Sequence, residues 1–277
     1  MNFKIIADSS ADMLSLDGAP FEVTPLKIVT SNKEYIDDIS LDVNGMVEEL
    51  FSYKGKSSSS CPNTDEWLTA FGDTQYIFCV TITGTLSGSY NAACIAKEIY
   101  EEQYPERKVT VINSLSTGPE MKLIIEKINE LILLDKTYEE ICEEIKIYMQ
   151  KTGLLFVLES MKNLANNGRV SDITAKAAGL LGIRVIGKAS DKGDLQPLDK
   201  VRGEVKTRAT IIDRLRKEGY WGGKVRIAHC QNPLFAESIK QALTKEFGNI
   251  DITVYECRGL CSFYAEKGGV LIGFEKQ

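Results

Sequence analysis

Histidine is almost missing from this chain: His229 is the only one in 277 residues. A serine nucleophile needs a base beside it, so that scarcity leaves one imidazole for any such chemistry. The nucleophile-elbow order Gly-x-Ser-x-Gly is also absent around Ser87, where the chain reads Gly84-Thr85-Leu86-Ser87-Gly88. There is no Gly-x-x-x-x-Gly-Lys-Ser/Thr loop, and no Gly-x-Gly-x-x-Gly follows the first strand, so two common nucleotide signatures are lacking. Seven cysteines stand at 61, 79, 94, 142, 230, 257 and 261 without a Cys-x-x-Cys pair. Their odd number, and the position of His229 off zinc-finger spacing from Cys257 and Cys261, favour free thiols over a metal site or a disulfide framework. No apolar run reaches membrane-spanning length, and no basic, apolar, small-residue leader precedes the first strand. Both absences set the expectation of a cytoplasmic protein. A net charge of −6 argues against general binding to a phosphate backbone, so nucleic acid is not an expected partner.

Composition is otherwise that of a soluble globular protein, with 43% hydrophobic and 26% charged residues, enough to build a real core. In the first half, strand-like runs at residues 3–7, 21–30, 76–82 and 108–112 alternate with helical patterns at 41–54, 64–71, 91–99, 123–134 and 138–152. Residues 55–63 read as a polar, serine-rich loop. Alternating strands and helices predict a parallel sheet with right-handed crossovers. The character changes near Gly153. Strands are expected at 154–158, 183–187, 195–197, 224–229, 252–256 and 270–274, and helices at 171–181, 204–218 and 233–247. Asp191-Lys192-Gly193-Asp194 reads as a hairpin turn. The expected fold is α/β with two domains: residues 1–152 around a parallel sheet and residues 153–277 around a mixed one.

Thr83-Gly84-Thr85-Leu86-Ser87-Gly88-Ser89-Tyr90 lies between a predicted strand and a predicted helix. A helix start offers free N–H groups and partial positive charge, and small hydroxyl residues there can hold a carboxylate or phosphate. The competing reading is an ordinary cap, with Ser87 or Ser89 at the N-cap and Gly88 for the turn. Asp8-Ser9-Ser10 and Ser57–Ser60 are further hydroxyl-bearing loops. Three such loops make a shared anion site and three unrelated caps comparable readings. Arg169, after Asn167-Gly168, is either a solvated arginine or a cation at the site rim.

These motifs fit together as a family. Asp8-Ser9-Ser10-Ala11-Asp12 resembles the opening Asp-Ser-x-x-Asp of the DegV family. Ser59-Ser60-Cys61-Pro62-Asn63 is similar to its Thr-Ser-Gln-Pro-Ser loop, and Leu86-Ser87-Gly88-Ser89-Tyr90 to its Leu-Ser-Gly-Thr-Tyr segment. Leu164 with Asn167-Gly168-Arg169-Val170 resembles Leu-x-x-Gly-Gly-Arg-Ile. The block from Leu181 to Gly203 and the late His229, Asn232-Pro233 and Ala236-Glu237 follow in order, so the resemblance spans nearly the whole chain.

The resemblance implies a carrier rather than an enzyme. A long-chain fatty acid would lie between the two domains, with its carboxylate clamped by the hydroxyls of Ser59 or Ser60 and of Ser87. Thr83, Gly88 and Arg169 belong to the same implied set. The carrier would present its ligand to a separate fatty acid kinase subunit, with transient membrane contact and no cofactor of its own. One departure stands out. The family often ends with Gly-Thr-His-x-Gly-Pro-Gly, whose histidine helps bind the carboxylate; here residues 259–269 contain no histidine. Ser262 aligns with the threonine, Phe263 falls near the missing histidine, and Tyr264 offers a hydroxyl instead. An acyl- or phosphate-ester hydrolase, and a binding module for another carboxylate, remain as alternatives. The apolar residues serve equally as tunnel wall or as plain core.

Overall fold

The computed structural model describes residues 2–171 and 182–277. The helix expected over residues 171–181 therefore falls, apart from Ser171, outside the described residues, as does Leu181 of the central block.

The first sheet has the order β2-β1-β6-β7 and is built from β1 (Phe3–Asp8), β2 (Phe21–Thr24), β6 (Tyr76–Thr81) and β7 (Lys108–Asn113). All its pairings are parallel. Helices on its faces explain why β1 and β6 are nearly continuous apolar runs. The second sheet has six strands in the order β10-β9-β8-β13-β11-β12 and mixes directions. Its members are β8 (Thr152–Leu158), β9 (Ile183–Ala189), β10 (Leu195–Arg202), β11 (Val225–His229), β12 (Ile252–Glu256) and β13 (Val270–Glu275). Only β11 and β12 run parallel there; the other pairings are antiparallel. The expected α/β architecture, with a parallel sheet first and a mixed sheet second, is what the chain forms.

A third sheet is small and was not expected. It joins β3 (Lys27–Thr30), β4 (Glu34–Ile36) and β5 (Ser57–Ser60) in the order β4-β3-β5. The serine-rich segment is therefore a strand and not a loop. Serine has little strand preference of its own, and here the pairing with β3 supplies the order. The extended run at 21–30 is likewise two strands in two sheets, parted at Pro25, which has no N–H to donate to a ladder. The helix expected to reach residue 152 ends at Met149, and Thr152 opens β8, its hydroxyl donating to Glu120 Oε1 at 2.8 Å.

Helix α4 in this chain, the fourth after Val43–Ser52 (α1), Thr64–Phe71 (α2) and Ser89–Gln103 (α3), spans Pro119–Leu133 and binds the two large sheets together. Met121, Ile124, Ile125 and Ile128 are fully buried in one core with Ile5, Phe78 and Val80 of the first sheet. Its first turn also lies directly on β13. A Cβ at Gly273 would stand 2.5 Å from the Pro119 carbonyl carbon and 2.6 Å from the Glu120 nitrogen. Those are backbone atoms with no room to give. Gly273→Ala is expected to cost about 1–3 kcal/mol of stability by overpacking, measured as a lower urea midpoint.

Candidate functional site

Parallel strands aim their carboxyl ends at one rim, and the strand order reverses between β1 and β6, where ligands bind in open α/β sheets. Asp8, at the end of β1, ties that rim together. Its Oδ2 accepts the Ile82 amide at 2.9 Å and the Ser89 hydroxyl at 2.6 Å, and its Oδ1 accepts the Ser10 amide at 3.3 Å and the Ser10 hydroxyl. Burial pushes the Asp8 pKa up, and these hydrogen bonds pull against the rise.

A cavity of about 780 Å³, open space at its mouth included, lies between this rim and one face of the six-stranded sheet. Leu154, Phe156 and Leu158 of β8 line it at a spacing of two, while Leu155 and Val157 face the opposite core. Leu271 of β13, Leu26, Leu86 and Leu260 complete a mostly apolar wall. Polar groups gather among them. Ser59 Oγ and Tyr264 Oη are 2.7 Å apart. The Arg169 guanidinium carbon is 5.8 Å from the centre of the Tyr264 ring, and its Nε donates to the Leu86 carbonyl at 3.2 Å. Ser87 follows Leu86 directly, and its hydroxyl accepts the Ser89 amide at 3.3 Å. Thr83 also lines the cavity; its amide donates to the Ser116 carbonyl at 2.9 Å. Burial raises the Tyr264 pKa, so its phenol stays protonated and available as a donor. The site can therefore hold a molecule with a long apolar body and an anionic or acceptor-rich head.

The hairpin turn between β9 and β10 closes one edge. Gly193 packs so tightly on Thr83 that a Cβ there would lie 2.1 Å from Thr83 Oγ1, and its φ of +81° suits glycine. Thr85 Oγ1 donates to the Lys192 carbonyl at 2.6 Å. Among the described residues no set of three or more His, Cys, Asp or Glu side chains is arranged to hold a metal ion, and no helix is long and apolar enough to cross a membrane.

A family model described as "Uncharacterised protein, DegV family" matches residues 2–277. The chain belongs to the DegV family. A DegV domain-containing protein of Streptococcus pneumoniae is 43% identical over 279 residues, covering 99% of both chains. Among solved structures, a DegV family protein from Eubacterium eligens loaded with heptadecanoic acid superposes with a TM-score of 0.98 at 45% identity, over 99% of this chain and 100% of that one. The Streptococcus pneumoniae Fatty Acid Kinase (Fak) B3 protein loaded with linoleic acid gives 0.98 at 43% identity over 100% of both chains.

In this DegV chain the residues singled out from sequence divide. Ser59, Thr83, Ser87, Arg169 and Tyr264 line the cavity. Ser60, Gly88 and Ser262 do not. Along β5 the side chains alternate, leaving Ser59 half-buried and Ser60 exposed. Gly88 is the N-cap of α3, with no side-chain cap, and a Cβ there would meet Cys61 Sγ at 3.2 Å. In the helix Gly259–Ala265, Leu260, Cys261, Tyr264 and Ala265 share the cavity face at a spacing of three to four, whereas Ser262 donates to the Cys257 carbonyl at 3.2 Å. Phe263 also turns away from the cavity and packs edge-on against Tyr264. The opening serines leave the anion picture altogether: the Ser9 hydroxyl accepts the Leu26 amide at 3.0 Å, and Ser10 serves Asp8. Sequence reading missed Ser116 and Thr117, which line the cavity from the loop after β7. Their signal was present, since hydroxyls and a glycine again follow a strand. His229 is buried on β11, its pKa lowered by burial, and it does not line the cavity, so Ser87 has no imidazole beside it.

Asp12 sits behind the cavity wall, 6% exposed, with Oδ1 accepting the Arg258 amide at 2.7 Å and Oδ2 without a hydrogen-bond partner. Burial pushes its carboxyl up to about 7, against about 3.9 in an unfolded chain. The folded state thus holds an extra proton between these values. The stability this provides is complete below about pH 4 and is lost as pH rises through about 7. Asp12→Asn cannot titrate. Urea unfolding at pH 5 and pH 8 is expected to show the variant gaining on the wild type at the higher pH, by about 2.5 kcal/mol. Gly193→Ala is expected to push the hairpin off Thr83 and to speed ligand loss several-fold, followed by stopped-flow displacement.

Proposed function

We propose that this chain is a non-catalytic carrier that holds a long-chain fatty acid and presents its carboxylate to a separate kinase subunit that makes acyl-phosphate. The observation that carries the reading is an apolar cavity whose polar groups collect around the Ser59–Tyr264 hydroxyl pair, Arg169 and Ser87. Two proteins 45% and 43% identical to it, with TM-scores of 0.98, are described as loaded with heptadecanoic and linoleic acid. Each buried methylene contributes about 0.8 kcal/mol, so ten of them outweigh the head group in affinity. The hydroxyls and Arg169 then fix where the carboxylate stands. Tyr264 supplies the donor that a histidine supplies in the family pattern. Residues 1–152 form the half bearing most head-group loops, and residues 153–277 the half covering the acyl chain. The carrier works in the cytoplasm without a cofactor and takes its ligand up by transient contact with membranes.

Denaturing the purified protein, extracting it with organic solvent and analysing the extract by mass spectrometry tests the reading. One fatty acid per chain is expected. An empty protein that hydrolyses acyl or phosphate esters, with the activity lost in Ser87→Ala, would sink it. Ser87→Ala is expected to weaken fatty acid binding by about threefold to tenfold, the worth of one ordinary hydrogen bond.

A further inference from the structure

Asp37 follows β4 and is completely buried, yet it does not line the cavity. Its Oδ1 accepts the Gly259 amide at 2.7 Å and its Oδ2 accepts the Leu260 amide at 2.8 Å. With Asp12 on the Arg258 amide, two carboxylates from the first sixty residues hold three consecutive N–H groups at the start of the helix Gly259–Ala265. The Arg258 Nε lies 3.9 Å from Asp37 Oδ1. Asp37 is anchored in turn, since its own amide donates to the Leu26 carbonyl at 2.9 Å just before β3. In the small sheet Ile28 of β3 stands between Tyr35 of β4 and Ser59 of β5. One rigid unit therefore carries Ser59 and Asp37, and the helix that Asp37 grips carries Tyr264.

We propose that Asp37 is a positioning residue for the head-group clamp: by docking the start of the helix Gly259–Ala265 onto the small sheet, it sets the separation of the Ser59 and Tyr264 hydroxyls. The proposal rests on the carrier reading above. A buried carboxylate that accepts adjacent backbone amides through both oxygens defines direction as well as distance, because charge-assisted hydrogen bonds are short and strong. The helix has only seven residues, so one displaced turn moves Tyr264 with it. Asp37→Asn keeps the shape but points an NH₂ group at one of the two amides.

The test is a double-mutant cycle on protein stripped of ligand, titrated with linoleic acid and with its methyl ester, which has no carboxylate. Tyr264→Phe and Asp37→Asn are each expected to weaken the acid about tenfold. The double variant is expected to be no weaker than either single one, and ester binding to stay unchanged throughout. Additive losses, equal losses for acid and ester, or wild-type affinity in Asp37→Asn would each overturn the positioning role. If Tyr264→Phe alone binds the acid like the wild type, the clamp itself is overturned and the role of Asp37 with it. Should Asp37→Asn not fold, the same cycle runs with Asp37→Ser, whose hydroxyl keeps one acceptor for the Gly259 amide.

Discussion

An apolar cavity of this kind stays open only if its walls are held from behind. Protein interiors otherwise close-pack, and side chains relax into empty space. In this chain the holding is done in part by carboxylates buried just outside the wall. Asp8 fixes the β6 loop and the start of α3 against β1. Asp12 and Asp37 fix the start of the helix Gly259–Ala265 against the first half. Glu120, on the first turn of α4, accepts the hydroxyl of Thr152 where β8 begins. Each is desolvated, and burial raises the pKa of every one. An unpaired group in such a place would be costly, so nearly all their oxygens meet donors whose positions matter for the cavity.

The same arrangement explains how the cavity carries a cluster of polar groups without a histidine. The cavity face of a seven-residue helix has room for few side chains, and Tyr264 occupies the place opposite Ser59. Its ring is half-buried against Phe263, and its hydroxyl reaches Ser59 on β5 of the small sheet. A phenol raised in pKa by burial donates as a neutral group over the whole physiological range, unlike an imidazole, which titrates there. Arg169 contributes the positive charge beside it.

Much of the fold was legible because hydrophobic periodicity reports burial directly. The runs that became β1, β6, β8 and β13 are apolar on both faces, and the helices between them carry their stripes at regular spacing. Ser57–Ser60 was not legible, since four serines carry no periodic signal and become a strand only through pairing with β3. The site was half legible. Hydroxyls and glycines after strands marked the right loops, but the pattern also selected Ser9 and Ser10, which the fold uses to brace Leu26 and Asp8. It passed over Ser116 and Thr117, whose loop becomes part of the rim only because β7 lies beside β6.

What the sequence determined by itself is the kind of protein: an α/β chain with a parallel and a mixed sheet, hydroxyl-rich turns at strand ends, a single histidine, and motifs whose order along the chain resembles one family. The architecture, the turns and the histidine count follow from composition, periodicity and spacing, which are local; the family follows from the resemblance of the motifs. What only the tertiary structure decided is which hydroxyl of each pair faces the ligand space. Ser59 points in and Ser60 out because a strand alternates its faces. Tyr264 points in while Ser262 turns away because a helix turns about 100° per residue. The choice of inward face depends on where distant elements pack, and that information lies in the contacts between Asp37, Asp12 and a helix more than 200 residues away.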